Sequence, residues 1–231
     1  SYKRRNKIAK KIGVFHQDFE AQYQTTTDFV SRMFENNLRD IEPYWVCLPM
    51  GSRCAVSNYQ MYWYPWDPDK EELWVRPMPK MPYIINMDNN PFDFYRYKMV
   101  QEDLYAEFGE WYSRQKKGKT ICLLGIRADE SLNRYRAYAN DRKTIMQGNQ
   151  WTTKMGENWW NAYPIYDWTT KDVWIANGKF DYDYNRIYDL FWKAGLSISQ
   201  MRVASPYHES AKESLNLYRV LEPATWAVSY T

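Results

Sequence analysis

The stretch Gly125-Ile126-Arg127-Ala128-Asp129-Glu130-Ser131-Leu132-Asn133-Arg134 follows directly on the apolar run Thr120-Ile121-Cys122-Leu123-Leu124. An apolar strand, then glycine, then an arginine-bearing turn and a helix, is an order suited to holding an anion. In open α/β sheets ligands sit beyond the carboxyl ends of the strands. Glycine there lets the backbone turn sharply, and a helix starting near Asp129 or Glu130 offers free N–H groups and a positive dipole end. Arg127 can grip a phosphate or sulfate bidentately. Arg134, two helical turns later, falls on roughly the same face, with Arg136 close by. The alternative is that Arg127 pairs with Asp129 or Glu130 and Arg134 is solvated.

A second group of candidates lies earlier. Asp18 and Glu20 follow the apolar run Ile12-Gly13-Val14-Phe15-His16, and alternation on a strand end puts them on one side. They could hold a magnesium ion or a ribose hydroxyl, or they could belong to a capped, solvated turn. His16 and His208 are the only histidines, and neither has a serine or cysteine partner at a recognisable spacing, so a hydrolase triad has little support. Asp88, Asp93 and Asp103 match no calcium loop. Three cysteines, Cys47, Cys54 and Cys122, are too few for a disulfide framework or a four-cysteine metal site. Cys122 reads as core, and the pattern fits a reducing compartment, so a cytoplasmic location is expected.

The elements that must position these groups read as an α/β protein with an open, mainly parallel sheet flanked by helices. Strands are expected at Ile12–His16, Tyr44–Pro49 and Thr120–Leu124. Helices are expected from about residue 25 to 37, from about 91 to 115, after Thr169, and from about Tyr184 to Lys193, ending at Gly195. Thr169-Thr170-Lys171-Asp172 is a helix start, with a threonine cap and an acid in the first turn. Composition divides the 231 residues into an α/β core (1–57 and 116–205), an aromatic and proline-rich insertion (58–115) and a C-terminal extension (206–231). The insertion is too aromatic for a linker. Aromatics make up 18% of the chain, which suits a Trp/Tyr-rich core and interface, or else a base-stacking platform. The net charge of +3 neither demands nor excludes nucleic acid. No apolar run spans a bilayer, and the basic N-terminus leads into polar residues and not into a leader's apolar segment.

The Gly125–Arg134 motif and Pro164-Ile165-Tyr166-Asp167-Trp168-Thr169-Thr170-Lys171-Asp172-Val173-Trp174 together resemble the phosphoadenosine phosphosulfate (PAPS) reductase family of the adenine-nucleotide α-hydrolase, or PP-loop, superfamily. There a G-x-R-x-x-E-S-x-x-R loop is followed by P-[LI]-x-D-W-[ST]-x-x-D-V-W. Phe15-His16-Gln17-Asp18-Phe19-Glu20 followed by Thr26, and Tyr184-Asn185-Arg186-Ile187-Tyr188-Asp189 followed by Gly195, are similar to two further family segments. The strings His16–Tyr23, Tyr44–Met50 and Leu73–Pro79 resemble the branch that carries the DUF3440 domain, so the resemblance covers nearly the whole chain.

The resemblance implies an adenine-nucleotide ligand, ATP or PAPS. It assigns Asp18, Glu20, Thr26, Gly125, Arg127, Glu130, Ser131, Arg134 and Asp167 to nucleotide and phosphate binding, with Asp18 and Asp167 ordering the site directly or through magnesium. The implied chemistry is cleavage next to a phosphate or sulfate, or transfer of a sulfur-bearing group. Two departures limit it. The family's S-G-G-K-D-S phosphate loop is absent and is expected, with its strand, before residue 1. The cysteine with which such reductases attack sulfur has no counterpart after Cys122, which argues against thiol-based reduction. Two rival expectations follow. One is a non-catalytic nucleotide-binding regulator acting with a ParB-like partner. The other is a component of nucleic-acid sulfur modification, which the even charge balance does not favour.

Overall fold

The structure is a computed structural model that describes residues 10–140, 142–208, 211 and 215–228. The basic N-terminal stretch lies mostly outside them. In chain order the strands and α-helices are β1 (Ile12–Gln17), α1 (Gln24–Glu35), β2 (Ile41–Val46), β3 (Ser52–Arg53), β4 (Tyr62–Trp63), β5 (Ile84–Ile85), α2 (Gln101–Lys116), β6 (Thr120–Leu123), α3 (Leu132–Ala139), β7 (Thr152–Lys154), β8 (Trp159–Ala162), α4 (Thr170–Phe180), α5 (Ile187–Lys193), α6 (Leu215–Leu221) and α7 (Pro223–Val228). Short 3-10 turns occupy Pro68–Leu73, Ala128–Glu130 and Ile198–Gln200. The expected α/β class, with a parallel sheet flanked by helices, is what the structure shows. Among the described residues no helix is long and apolar enough to cross a membrane.

The chain divides into two compact units, the first formed by the described residues of 1–91, 97–99 and 185–231, the second by 92–96 and 100–184. The segment 58–115 is therefore shared between them. In the first unit β1, β2 and β5 form a parallel sheet in that order, with Ile12 opposite Ile41, Gln17 opposite Val46 and Trp45 opposite Ile84. Parallel strands need a crossover, and α1 supplies it between β1 and β2. Trp45, Val46, Cys47 and Leu48 are buried without alternation, as a central parallel strand requires. Phe34 of α1, Ile41, Trp45, Cys47, Trp66 and Ile84 form the core. A second cluster gathers Tyr23, Ile187 and Phe191 of α5, and Tyr218 of α6. Tyr23 stacks on Tyr218 at 3.9 Å, and the Tyr218 hydroxyl donates to the Ala204 carbonyl at 2.7 Å.

In the second unit β6 runs parallel to β8, and β7 pairs antiparallel on β8's other side. Helix α2 has acids in its first turn (Glu102, Asp103) and bases in its last (Arg114, Lys116), in line with the helix dipole. The sequence predicts this helix from about residue 91. It starts at Gln101, because the preceding Phe92 packs edge-on against Phe108 and Trp111 and holds its segment out of the helix.

Helix α2 approaches β8 closely at Gly109, where a Cβ would stand 2.5 Å from the Trp159 ring. Gly156 faces the same indole from another side, and Trp159 is buried. An exposed helical Gly→Ala change gains about 1 kcal/mol. Here the added methyl must displace a rigid ring, and overpacking costs about 1–3 kcal/mol. Gly109→Ala is expected to lower the urea midpoint of this unit, and Trp159→Phe in the same chain to restore part of the loss. An unchanged midpoint in the single variant would show that the indole moves freely.

Candidate functional site

The parallel pairing of β6 with β8 brings two distant sequence motifs side by side. Past the last strand pair the Leu124 N–H still donates to the Ala162 carbonyl, and the Ala128 N–H donates to the Tyr166 carbonyl, at 2.9 and 2.8 Å. The Gly125–Arg134 loop therefore runs along the Pro164–Trp174 segment, at the carboxyl ends of both strands. Side-chain contacts join the two stretches and the helix that follows the loop. Arg127 Nη2 donates to Thr170 Oγ1 at 3.3 Å, the Thr170 N–H donates to Asp129 Oδ2 at 3.3 Å, and the Tyr138 and Tyr166 rings stack at 4.0 Å. Thr169 caps α4 with a full capping box, its side chain accepting from the Asp172 N–H while Asp172 accepts from Thr169, as the sequence predicts. Ser131 caps α3 through the Arg134 N–H.

The two arginines share one carboxylate. Arg127 Nε donates to Glu130 Oε1 at 3.1 Å, and Arg134 pairs with Glu130 Oε2. The pairing alternative thus holds for Arg127 and extends to Arg134. Arg127 is largely buried (side chain 12% exposed), whereas Arg134 is 48% exposed. The backbone of Gly125, Ile126 and Arg127 is irregular, and their N–H groups have no acceptor among the described residues. Gly125 lies outside the left-handed region, and a Cβ there would meet only Ile165, at 3.9 Å. The sharp turn expected of it is therefore not what its backbone does. Its contribution is open space beside unpaired N–H groups. Asp167 is exposed in the turn before α4.

Asp18, Glu20 and Thr26 lie in the first unit, whereas Gly125, Arg127, Glu130, Ser131, Arg134 and Asp167 lie in the second. Asp18 is fully buried. Its carboxylate accepts from Arg76 Nη2 at 2.5 and 2.7 Å, from Trp45 Nε1 at 2.9 Å and from the Glu20 N–H at 2.8 Å. Glu20, itself at a positive φ of 61°, accepts from the Trp66 and Val75 N–H groups at 2.8 Å each. Each carboxylate oxygen of Asp18 and Glu20 thus already accepts from the protein. The two acids instead tie the segment Trp66–Arg76 to the end of β1. Magnesium finds no fitting donor set at Asp18, and among the described residues no group of three or more His, Cys, Asp or Glu side chains could hold a metal ion. Thr26 Oγ1 accepts from Asn185 Nδ2 at 2.8 Å, linking two of the segments singled out in the sequence.

Sequence reasoning missed Arg76, which reaches Asp18 across 58 residues and lies over the Trp66 ring at 5.0 Å. No local spacing signals such a pair. Burial raises the Glu20 carboxyl's pKa, although the Val75 and Trp66 N–H groups oppose it. Burial likewise pushes the Cys47 and Cys122 thiols up, so neither is a ready thiolate.

Comparison with known proteins gives two matches. The family described as "Domain of unknown function (DUF3440)" matches residues 195–229. The "Uncharacterized protein YbdN" of Escherichia coli (strain K12) is 36% identical over 223 residues, covering 95% of this chain and 53% of that protein. The chain spans about half the length of this curated relative. No solved structure matches. The chain is thus similar along nearly its whole length to one part of YbdN, and over its C-terminal residues to the DUF3440 domain.

Proposed function

We propose that the Gly125–Arg134 loop and the Pro164–Trp174 segment form an anion site for the phosphate or sulfate of an adenine nucleotide, ATP or PAPS, and that the protein cleaves or transfers at that group. The observation that carries this reading is the junction of the two motifs at the carboxyl ends of β6 and β8, where three consecutive N–H groups have no acceptor among the described residues, beside Arg127 and Arg134. Catalysis at such a site is mostly positioning and charge stabilisation. Reduction by a thiolate is no part of it, because the cysteine with which such reductases attack sulfur has no counterpart after Cys122. Membership of the PAPS reductase family and a cytoplasmic location belong to the same proposal. They rest on the motif resemblance and on the use of cysteine in the sequence.

Glu130 gives the reading a sharp consequence. Its carboxylate sits where an incoming anion would have to pair with the arginines. Charge-assisted hydrogen bonds contribute about 1.5–3 kcal/mol each. Calorimetry with ATP, ADP and PAPS on the full-length protein is therefore expected to show binding that weakens about tenfold to a hundredfold in Arg127→Ala and strengthens in Glu130→Gln. Absence of binding by all three nucleotides, or affinity indifferent to Arg127→Ala, would overturn the proposal.

A further inference from the structure

The even charge of the whole chain conceals a local imbalance. Residues 132–154 contain Arg134, Arg136, Arg142, Lys143 and Lys154 against a single acid, Asp141. Aromatic residues alternate with these cations, at Tyr135, Tyr138 and Trp151. Arg134 is committed to Glu130, and Lys143 to the carbonyls of Tyr138 and Gln150, at 2.6 and 2.5 Å. The Arg136 and Arg142 guanidinium groups differ, being exposed and having no ion-pair partner among the described residues. Tyr135 and Trp151 differ likewise. These residues are 50% and 36% exposed, and their rings make no ring contact among the described residues.

The fold gathers these groups. Lys143 Nζ bonds the carbonyls of both Tyr138 and Gln150, which draws the backbone before Trp151 against the C-terminal end of α3. The loop between is built, with Met146 bridged to Asn149 across a tight turn whose central residues, Gln147 and Gly148, have φ of 50° and 77°. Trp151 is anchored further by its carbonyl, which accepts from the Tyr163 N–H at 2.9 Å. Unpaired cations beside uncovered rings on an ordered support are what a single nucleic-acid strand engages, because its phosphates meet the cations and its unstacked bases lie on the rings. A duplex hides its base faces and could use only the charges.

We propose that α3 and the loop leading to Trp151 form a binding surface for single-stranded nucleic acid, with Arg136 and Arg142 on phosphates and Tyr135 and Trp151 stacking bases. This goes beyond the nucleotide site and does not depend on it. The test is fluorescence anisotropy of a short labelled oligothymidylate with the full-length protein, over a range of salt. Binding is expected to weaken as salt rises. The double variant Arg136→Gln/Arg142→Gln should bind more weakly and make the plot of log K against log salt shallower by about 1.4, or about 0.7 for each lost phosphate contact. Tyr135→Ala and Trp151→Ala are each expected to weaken binding about tenfold, with Tyr135→Phe close to the parent. Arg127→Ala should leave oligonucleotide binding intact while lowering nucleotide affinity, which separates the two sites. No binding at low salt would overturn the proposal. So would binding untouched by Tyr135→Ala and Trp151→Ala, which would show charge alone at work, or binding lost in Arg127→Ala, which would place the strand in the nucleotide loop.

Discussion

Asp18→Ala is expected to cost the first unit about 3–5 kcal/mol of stability. The carboxylate is wholly buried and serves four hydrogen bonds, two from Arg76 and one each from the Trp45 indole and the Glu20 N–H. Alanine would remove the acceptor and strand the rest. Arg76 would keep its charge in a site where its side chain is only 14% exposed, and a buried donor with no acceptor costs its full desolvation. The ion pair need not be a large net stabiliser, since moving both charges out of water offsets most of their attraction. What matters is the asymmetry between losing one partner and losing both. Asp18→Asn/Arg76→Met should therefore recover a good part of what either single change loses, a coupling that a double-mutant cycle in urea reads directly. A loss below about 1 kcal/mol in Asp18→Ala, or strictly additive single effects, would show that the pair behaves like a surface bridge. The outcome also bears on function. If Asp18 acts only to hold Trp66–Arg76 on β1, the variant should lose stability but keep its nucleotide affinity below its melting range.

The legible parts of the fold were those with local signals. The apolar run at Ile12–His16, the helical spacing of Phe29, Val30, Met33 and Phe34, the apolar Thr120–Leu123 strand and the Thr169 cap each lie within a few residues, and each appears where its chemistry predicts. β5 and β8 left no such trace. Two residues, Ile84 and Ile85, have no periodicity, and Trp159-Trp160-Asn161-Ala162 does not alternate because β8 is the middle strand of its sheet. Of the candidate site, a pairing of Arg127 with Asp129 or Glu130 was one of the two readings the sequence left open, and the structure takes it with Glu130. The meeting of the 125–134 and 164–174 segments depends on how β6 pairs with β8, a long-range fact. The Asp18–Arg76 contact is of the same kind. A carboxylate at a strand end reads alike whether it waits for a ligand or for an arginine 58 residues on.

The stability of the first unit should also fall as pH drops from about 6.5 towards about 4, because of His16. Its ring lies edge-on to Trp45 at 4.9 Å and to Phe34 at 6.5 Å, and its Nε2 is buried with no hydrogen-bond partner among the described residues. Burial holds its pKa down at about 4. The nearby Asp18 carboxylate pulls the other way, and the Arg76 guanidinium adds to the depression. The unfolded chain takes up the proton as pH falls through the ordinary histidine value, whereas the folded chain refuses it until about pH 4. Between those limits the unfolded state binds more protons, so stability present above pH 6.5 drains away as the solution is acidified. At 1.36 kcal/mol per unit the loss reaches about 3 kcal/mol at the acid end. Glu20 works in the opposite sense. Its raised pKa lets the folded state take a proton before the unfolded one does, which adds stability as pH falls towards 4.5. The two slopes separate in a variant. Urea midpoints measured at about pH 7.5 and about pH 5 should differ widely in the parent protein and far less in His16→Gln, which removes the titrating ring. Equal pH dependence in both would mean that the ring accepts its proton in the folded state, and that the aromatic cage around it admits water.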